Sequence, residues 1–554
     1  MGRPETLPTV DVHAGRGAHG RWRARLPTAA AASVIALCGL HSASPSVAAT
    51  NGSQRALGGH GSPVRSKRYW SDPAVLARCG LASGPQVAFP SESPATPTGI
   101  GAIVWASEPT SCGSRSRRSP RSAHWAISVA AVGPAGGARL VSTQPLGAHS
   151  PVELTAVGAS FGRIALAAAN PTAGSAGGAN ALLQGRTVDR SRWPSVTIGS
   201  GARPALTRAY LGDAAIAAIA AGPAIAVRVQ RSSEPDFGQP RLVPTGPGRV
   251  TALTATMDYR ADVLLAWQQN GGIYVRMLRS SGQDDPTQRI GPSGPDPQIQ
   301  AVVSDNDHGM IAWSSTEVPK RGTARTRIYL DLSAVGVRFG QPLQLASFAD
   351  PQRVGRSPGS LALERLSTEN VMLAWTVAER GHYVVRAAPA VFAASRPTTR
   401  LSDPRSQAIL ADLAPGPAGE AIALWSTAPR IVGGTLDMGR AELWAARTSI
   451  RPHARVVLRA AEKIAAAGPS VAATVAVDPA TDRAVAAWLT LTAPERIEYA
   501  VAVGEAGYRP RPPTATMGPA GAGTHWLRIT LAAAGLTVAA IMLVTVRRRR
   551  PREK

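Results

Sequence analysis

The chain has 554 residues, a formal net charge of +25 and only three cysteines, with 55 glycines and 46 prolines. A charge this positive invites a nucleic-acid reading, but the arginines form no stripe with interleaved aromatics, which excludes that class. No HExxH, P-loop or GxSxG context occurs, so zinc-hydrolase, nucleotide and serine-hydrolase chemistry lack their usual starting points.

Residues 1–49 read as a cleaved signal peptide. Arg3, Arg16, Arg21, Arg23 and Arg25 precede an uncharged apolar run over 27–40. That run is too short to span a bilayer and has the length of a signal h-region. Small residues at Ser46, Ala48 and Ala49 place the cleavage site. Cys38 ends the run, but Leu37 stands where a lipid-attachment site needs a small residue. Residues 50–78 read as disordered or loosely packed.

With the leader removed, Cys79 and Cys112 remain, an even pair in an oxidising compartment, and a disulfide between them is expected. It would close a loop of about 34 residues and stabilise by about 3–4 kcal/mol on the chain-entropy account. Just beyond it, Arg115, Arg117, Arg118 and Arg121 lie in a Ser/Pro-rich stretch that reads as an exposed loop. Elsewhere the basic charge is scattered. It reads first as solvated surface and secondly as attraction to an anionic envelope polymer.

From residue 79 to 505 one pattern recurs: a short apolar run, a polar turn, a second apolar run ending in Trp, a loop, and a third run with an aromatic. The second runs end at Trp267, Trp313, Trp375, Trp425 and Trp488; the third runs carry Tyr274, Tyr329, Tyr383, Trp444 and Tyr499. Trp105 and Trp125 repeat the plan near the start, and the apolar runs near Leu166 and Ala218 repeat it without Trp. The tetrapeptide FGQP occurs at Phe237–Pro240 and at Phe339–Pro342. Anchors recur at a mean spacing of about 55 residues, which gives seven or eight units.

Alternating and β-branched runs at this period predict an all-β chain, a β-propeller of seven or eight four-stranded blades. Tandem β-sandwiches stand as the alternative architecture. In a propeller, Trp105, Trp267, Trp313, Trp375, Trp425 and Trp488 are structural anchors between adjacent blades rather than ligand contacts.

The combination of a turn, an apolar strand ending in Trp, an "IYVR" strand and FGQP resembles the repeats of sialidase-type (BNR-like) propellers. That resemblance implies a propeller fold. It would imply catalysis only through three arginines, a tyrosine activated by a glutamate, and an aspartic acid/base. The Asp box of those repeats is missed: Ser304–Trp313 (SDNDHGMIAW) has its Trp one residue late. Four of the eight tyrosines fill the repeated strand position and read as packing, so no catalytic residue is assigned. Asp258, Asp262, Asp305, Asp307, Asp478 and Asp482 occupy equivalent turns, where turn formation is a simpler role than metal binding, and no cofactor or metal is expected.

Residues 506–526 are Pro/Gly-rich and read as a spacer. Residues 527–546 follow as a single transmembrane helix, whose uncharged stretch from Ile529 to Val546 would cover about 27 Å. Arg547, Arg548, Arg549 and Arg550 stop transfer and leave 547–554 as a cytoplasmic tail. The sequence thus predicts a single-pass, type I membrane protein with its ectodomain outside the cytoplasm. Two functions remain open: a non-catalytic binding or scaffold ectodomain for an envelope protein or anionic polymer, and a glycan-active hydrolase or lyase. Acidic residues clustered with Arg at the channel mouth would favour the enzyme; inner strands of Ala, Val and Ser would favour binding.

Overall fold

A computed structural model gives the structure of the chain. It describes residues within 69–502 apart from segments between strands, the longest being 90–100, 108–124, 170–179 and 186–194. The leader, the spacer, the apolar stretch 529–546 and Arg547 to Arg550 lie outside the described residues, as do Cys79 and Cys112. Among the described residues no helix is long and apolar enough to cross a membrane.

The described chain is all-β and propeller-like. Its strands form eight antiparallel sheets of four or five strands, and a small extra hairpin pairs Ile431–Val432 with Thr435–Leu436. The first seven sheets are consecutive meanders over 86–147, 153–199, 202–244, 250–292, 299–349, 361–400 and 407–465. The eighth takes three strands from 470–501 and a fourth, Ala74–Arg78, from the other end of the chain. Segment 50–78 is therefore not loosely packed throughout: its last residues pair along Arg496–Val501, with Ala74 opposite Tyr499. Register along a strand is invisible in sequence when its partner lies some 400 residues away.

First strands of successive sheets touch one another in order, and the first strand of the eighth sheet, Ser470–Val477, touches that of the first, Gln86–Ala88. The sheets therefore close on themselves around a centre lined by first strands. This is not the face-to-face stacking of paired sheets in a sandwich. The two FGQP segments sit before the last strands of the third and fifth sheets, one sheet apart from being neighbours.

The core consists of clusters that each join two adjacent sheets. Trp313, fully buried in the fifth sheet, packs with Leu264, Ala266 and Ile273 of the fourth. Trp267, Trp375, Trp425 and Trp488 likewise pack with residues of the preceding sheet. Trp105 of the first sheet packs with Val485, Ala487 and Ile497 of the eighth, across the closure. Each of these six indoles is at most 3 % exposed. A sheet has two faces to bury and only its neighbours to bury them against, so a large side chain at this recurring position fills the wedge between sheets. Trp267 lies opposite Tyr274 and stacks on it with ring centroids 5.9 Å apart; Trp313 and Tyr329 do the same at 5.1 Å.

Candidate binding face

Meander topology fixes which connections share an end of the ring. Segments joining one sheet to the next, and turns joining second to third strands, all lie where the first strands begin. Turns joining first to second and third to fourth strands lie at the opposite end. The chemistry of the two ends differs.

The starting end is organised by Asp350, which follows the strand Leu343–Ala349 and is 0 % exposed. Its backbone N–H donates to Ala324 O at 2.7 Å. Its carboxylate accepts four hydrogen bonds: from the Tyr383 hydroxyl (2.6 Å) and Val354 N–H (2.9 Å) on Oδ1, and from the Thr326 hydroxyl (2.6 Å) and Gly355 N–H (2.9 Å) on Oδ2. A buried carboxylate is tolerated when its lone pairs are filled in this way. The N–H donors belong to a single 3-10 turn, Val354–Arg356, entered through Arg353 in the left-handed region (φ 57°). Gly355 is required by close approach, because a Cβ there would lie 2.3 Å from Thr326 Cγ2.

The same assembly reaches outward. Ser314 Oγ donates to Gly355 O (2.8 Å) and accepts from Gln298 N–H (3.0 Å); Gln298 Nε2 donates to Arg356 O (3.1 Å), and Arg356 pairs with Asp296. On the other side, Gln407 accepts from Tyr383 N–H (2.8 Å) and donates to Gly381 O (3.4 Å). Four connections, 293–298, 318–324, 350–360 and 380–381, are thus tied together and to the start of the seventh sheet. From this arc Lys320, Arg321, Arg353, Arg380 and Arg405 project as exposed cations. Among the described residues none of the five has a carboxylate partner, whereas the nearby Glu317, Glu379 and Asp296 hold Arg327, Arg386 with Arg400, and Arg356. Asp403 is a further exposed carboxylate of this arc, and it accepts the Arg405 backbone N–H (2.9 Å).

At the opposite end several carboxylates are matched to arginines, while Arg338 and Arg455 stay exposed there. Asp258 Oδ1 accepts the N–H groups of Arg260 (2.9 Å) and Asp262 (2.8 Å), the turn role expected of it. Asp262 pairs with Arg279 at 2.9 Å and accepts Ser280 N–H at 2.7 Å. Burial works to raise its pKa, yet the bonds from Ser280 and Arg279 prevail and hold it below the ordinary aspartate value. Arg279 also pairs with Asp285, and Asp284 with Arg241 and Arg276. Near the closure, Arg447 bridges Glu420 (3.3 Å) and Asp482 (3.1 Å), bonds the Tyr69 hydroxyl and lies over its ring, 4.6 Å from the centroid.

Tyr383 was assigned to packing by its repeat position, but its hydroxyl is a buried donor to Asp350. Burial first, then the Asp350 bond and charge, push its pKa well above the ordinary tyrosine value. That is the wrong direction for a nucleophilic tyrosine.

The eight first strands are mainly Ala, Val, Leu and Thr, and carry three carboxylates: Glu153, Glu364 and Asp412, in the second, sixth and seventh sheets. Asp412 lies at an irregularity in Gln407–Pro415 and accepts Leu413 N–H and, from the neighbouring first strand, Val475 N–H, both at 2.8 Å. The wall of strands withdraws it from bulk water although part of its side chain stays accessible. Burial raises its pKa to about 6 against the opposing pull of these two N–H groups. Among the described residues no three His, Cys, Asp or Glu side chains are grouped to hold a metal. Two surface grooves, of about 390 and 490 Å³, are each bordered by an FGQP segment. In the second, Gln288 exchanges two hydrogen bonds with the Phe339 backbone.

No family model matches the chain, and no curated protein matches it. Several solved structures resemble parts of the chain at low identity. A puromycin hydrolase is 14% identical with a TM-score of 0.37, over 60% of this chain and 49% of that one, so the chain spans about half the length of that enzyme. The α-L-arabinanase of Penicillium chrysogenum, complexed with arabinobiose, is 12% identical with a TM-score of 0.31, over 55% of this chain and 93% of that one. A polysaccharide lyase is 9% identical with a TM-score of 0.37, over 80% and 93%. The sialidase-type resemblance finds no counterpart among these matches.

Proposed function

We propose that the protein is an extracytoplasmic, membrane-tethered β-propeller of eight blades that binds a partner on its starting end without chemical turnover. The observation that carries this reading is the Asp350 assembly. One buried, fully bonded carboxylate fixes four surface connections into a single platform from which unpaired cations project. Pre-ordering a surface lowers the entropic cost of binding. First strands of Ala, Val, Leu and Thr, with their three carboxylates in separate sheets, support binding over catalysis. The leader over 1–49 and the anchor over 527–546 supply the tether in this reading, and Cys79 and Cys112 a disulfide in the ectodomain. The six Trp residues serve as blade anchors.

The test uses the full-length protein in detergent, incubated with envelope fractions and separately with a panel of glycans. Retention of an envelope component by the wild type, lost in Asp350→Ala, with no product from any glycan, is expected. Turnover of any glycan overturns the reading.

A second reading, a glycan-active hydrolase or lyase, is favoured by Asp412. A carboxyl whose pKa is lifted to about 6 keeps enough protonated form near neutrality to serve as a general acid. If that reading holds, Asp412→Asn abolishes a turnover that the wild type shows; equal activity in both removes Asp412 from the chemistry.

A further inference from the structure

We infer that the ligand of the starting end is an extended anionic polymer carrying repeated phosphate or carboxylate groups; this rests on the binding reading above. The cations are spread along an arc rather than gathered in a pocket. Lys320 and Arg321 lie on the fifth sheet's turn, Arg353 on the connection to the sixth, Arg380 on the sixth's turn and Arg405 on the connection to the seventh. Exposed Arg249 and Arg440 continue the arc on the fourth and seventh sheets. An exposed charge pair contributes little by itself, so affinity requires a ligand that engages several cations at once, as a polymer does. A small anion would meet one loop only.

Within the arc Glu317, Asp296 and Glu379 pair with other arginines, and among the described residues Asp403 alone stands against the five exposed cations, which leaves the field positive where the ligand would lie. Asp350 lies beneath, but Tyr383, Thr326, Val354 and Gly355 occupy its oxygens, and it is shut off from the surface. Guanidinium groups suit phosphate and carboxylate oxygens because their planar N–H pairs match two oxygens at a time.

The topology favours a polymer over the headgroups of the anchoring bilayer. The last strand, Arg496–Val501, starts at the cationic end and finishes at the other, where Ala502 bridges Trp70. Ala502, the last described residue, therefore lies at the end away from the cations, and in the tethered reading an anchor continuing from it would direct them outward.

The experiment measures binding of fluorescent long-chain polyphosphate and polygalacturonate to the full-length protein in detergent across a salt series. Neutral dextran and vesicles containing phosphatidylglycerol are run in parallel. Two charge-matched variants are compared: Arg321→Glu with Arg405→Glu, and Arg338→Glu with Arg455→Glu, whose exposed side chains lie at the opposite end. The expected result is salt-sensitive polymer binding that falls about tenfold or more in the first variant and stays within about twofold in the second, with dextran unbound and melting temperatures unchanged. Equal losses in both variants overturn the inference, since net charge alone would then account for binding. Binding to the vesicles with none to either polymer also overturns it, in favour of lipid. If the polymers fail while an envelope component is still retained through Asp350, this inference falls and the binding reading stands; glycan turnover removes the binding reading itself.

Discussion

The two ends of the ring differ in how Asp350 on the one and Asp262 and Asp482 on the other are satisfied. At the end opposite the starting end, Asp262, Asp284, Glu420 and Asp482 each hold an arginine, and Arg447 joins the seventh and eighth sheets to Tyr69 from the N-terminal segment. Those pairs are used inside the fold. At the starting end a carboxylate is buried and filled by neutral donors, and the cations are left outside it. Arginine content alone cannot distinguish these uses, because the same side chain locks a ring when it meets a carboxylate and presents a surface when it does not. The difference is one of placement: a carboxylate whose lone pairs are taken by hydroxyl and N–H donors leaves nearby guanidinium groups free for something else.

Several substitutions break or sharpen this contrast. The largest effect is expected from Trp313→Ala, which empties the wedge between the fourth and fifth sheets and so weakens both ends at once. A loss of about 3–5 kcal/mol is expected in denaturant unfolding, and a loss below about 1 kcal/mol would remove the indole from the core. Asp350→Ala leaves the buried Tyr383 hydroxyl and two N–H groups without their acceptor, with Thr316 Oγ remaining for the Thr326 hydroxyl, and should cost about 3–4 kcal/mol. It should also abolish capture at the starting end. Arg447→Ala is its counterpart at the other side. With the guanidinium gone, the buried Asp482 loses its arginine while Glu420 keeps Arg459 (3.1 Å), and about 2–3 kcal/mol should be lost with capture unaffected. If Arg447→Ala destroyed capture as fully as Asp350→Ala, the two ends would not be independent.

Asp412 gives a pH test between them. Its folded pKa, about 6, lies above the ordinary aspartate value of 3.8. The folded state therefore binds more protons across that interval, so this group's contribution to stability falls as pH rises from about 4 through 6 and is flat above. Asp412→Asn should flatten that slope and add about 2 kcal/mol at pH 7, part of the gain being offset because the amide NH₂ cannot accept an N–H. Calorimetry at pH 4 and 7 measures it; an unchanged slope would place Asp412 in water. The smallest effect belongs to the paired change Arg321→Glu with Arg405→Glu, expected to alter stability by less than about 0.5 kcal/mol while altering binding. A destabilised variant would show that these cations are structural after all.

The repeat was legible because its physics is local. A run of alternating apolar residues ending in Trp, then a turn, then an aromatic strand, specifies a hairpin whose partners lie within some twenty residues, and Trp267 opposite Tyr274 shows the result. Asp258 in its turn is legible for the same reason, since it bonds the N–H groups two and four residues on. The Asp350 assembly was not read: an Asp after a strand is a general turn signal, and it stands three residues ahead of Arg353, the N-cap of the 3-10 turn. What that signal omits is that Tyr383 and Thr326, 33 and 24 residues away, arrive at the same carboxylate. Asp412 was missed because one of its partners, Val475, lies 63 residues further along on another sheet.

By itself, the sequence determined the all-β class, the repeating unit and the Trp positions that fill the wedges between sheets, because periodicity and hairpin contacts span short distances along the chain. Tertiary structure decided the closure through Ala74–Arg78, which acids are buried and satisfied, and which arginines are left facing outward. Those outcomes depend on neighbours brought together from distant parts of the chain, and a hydrogen bond or an ion pair exists only where such neighbours meet.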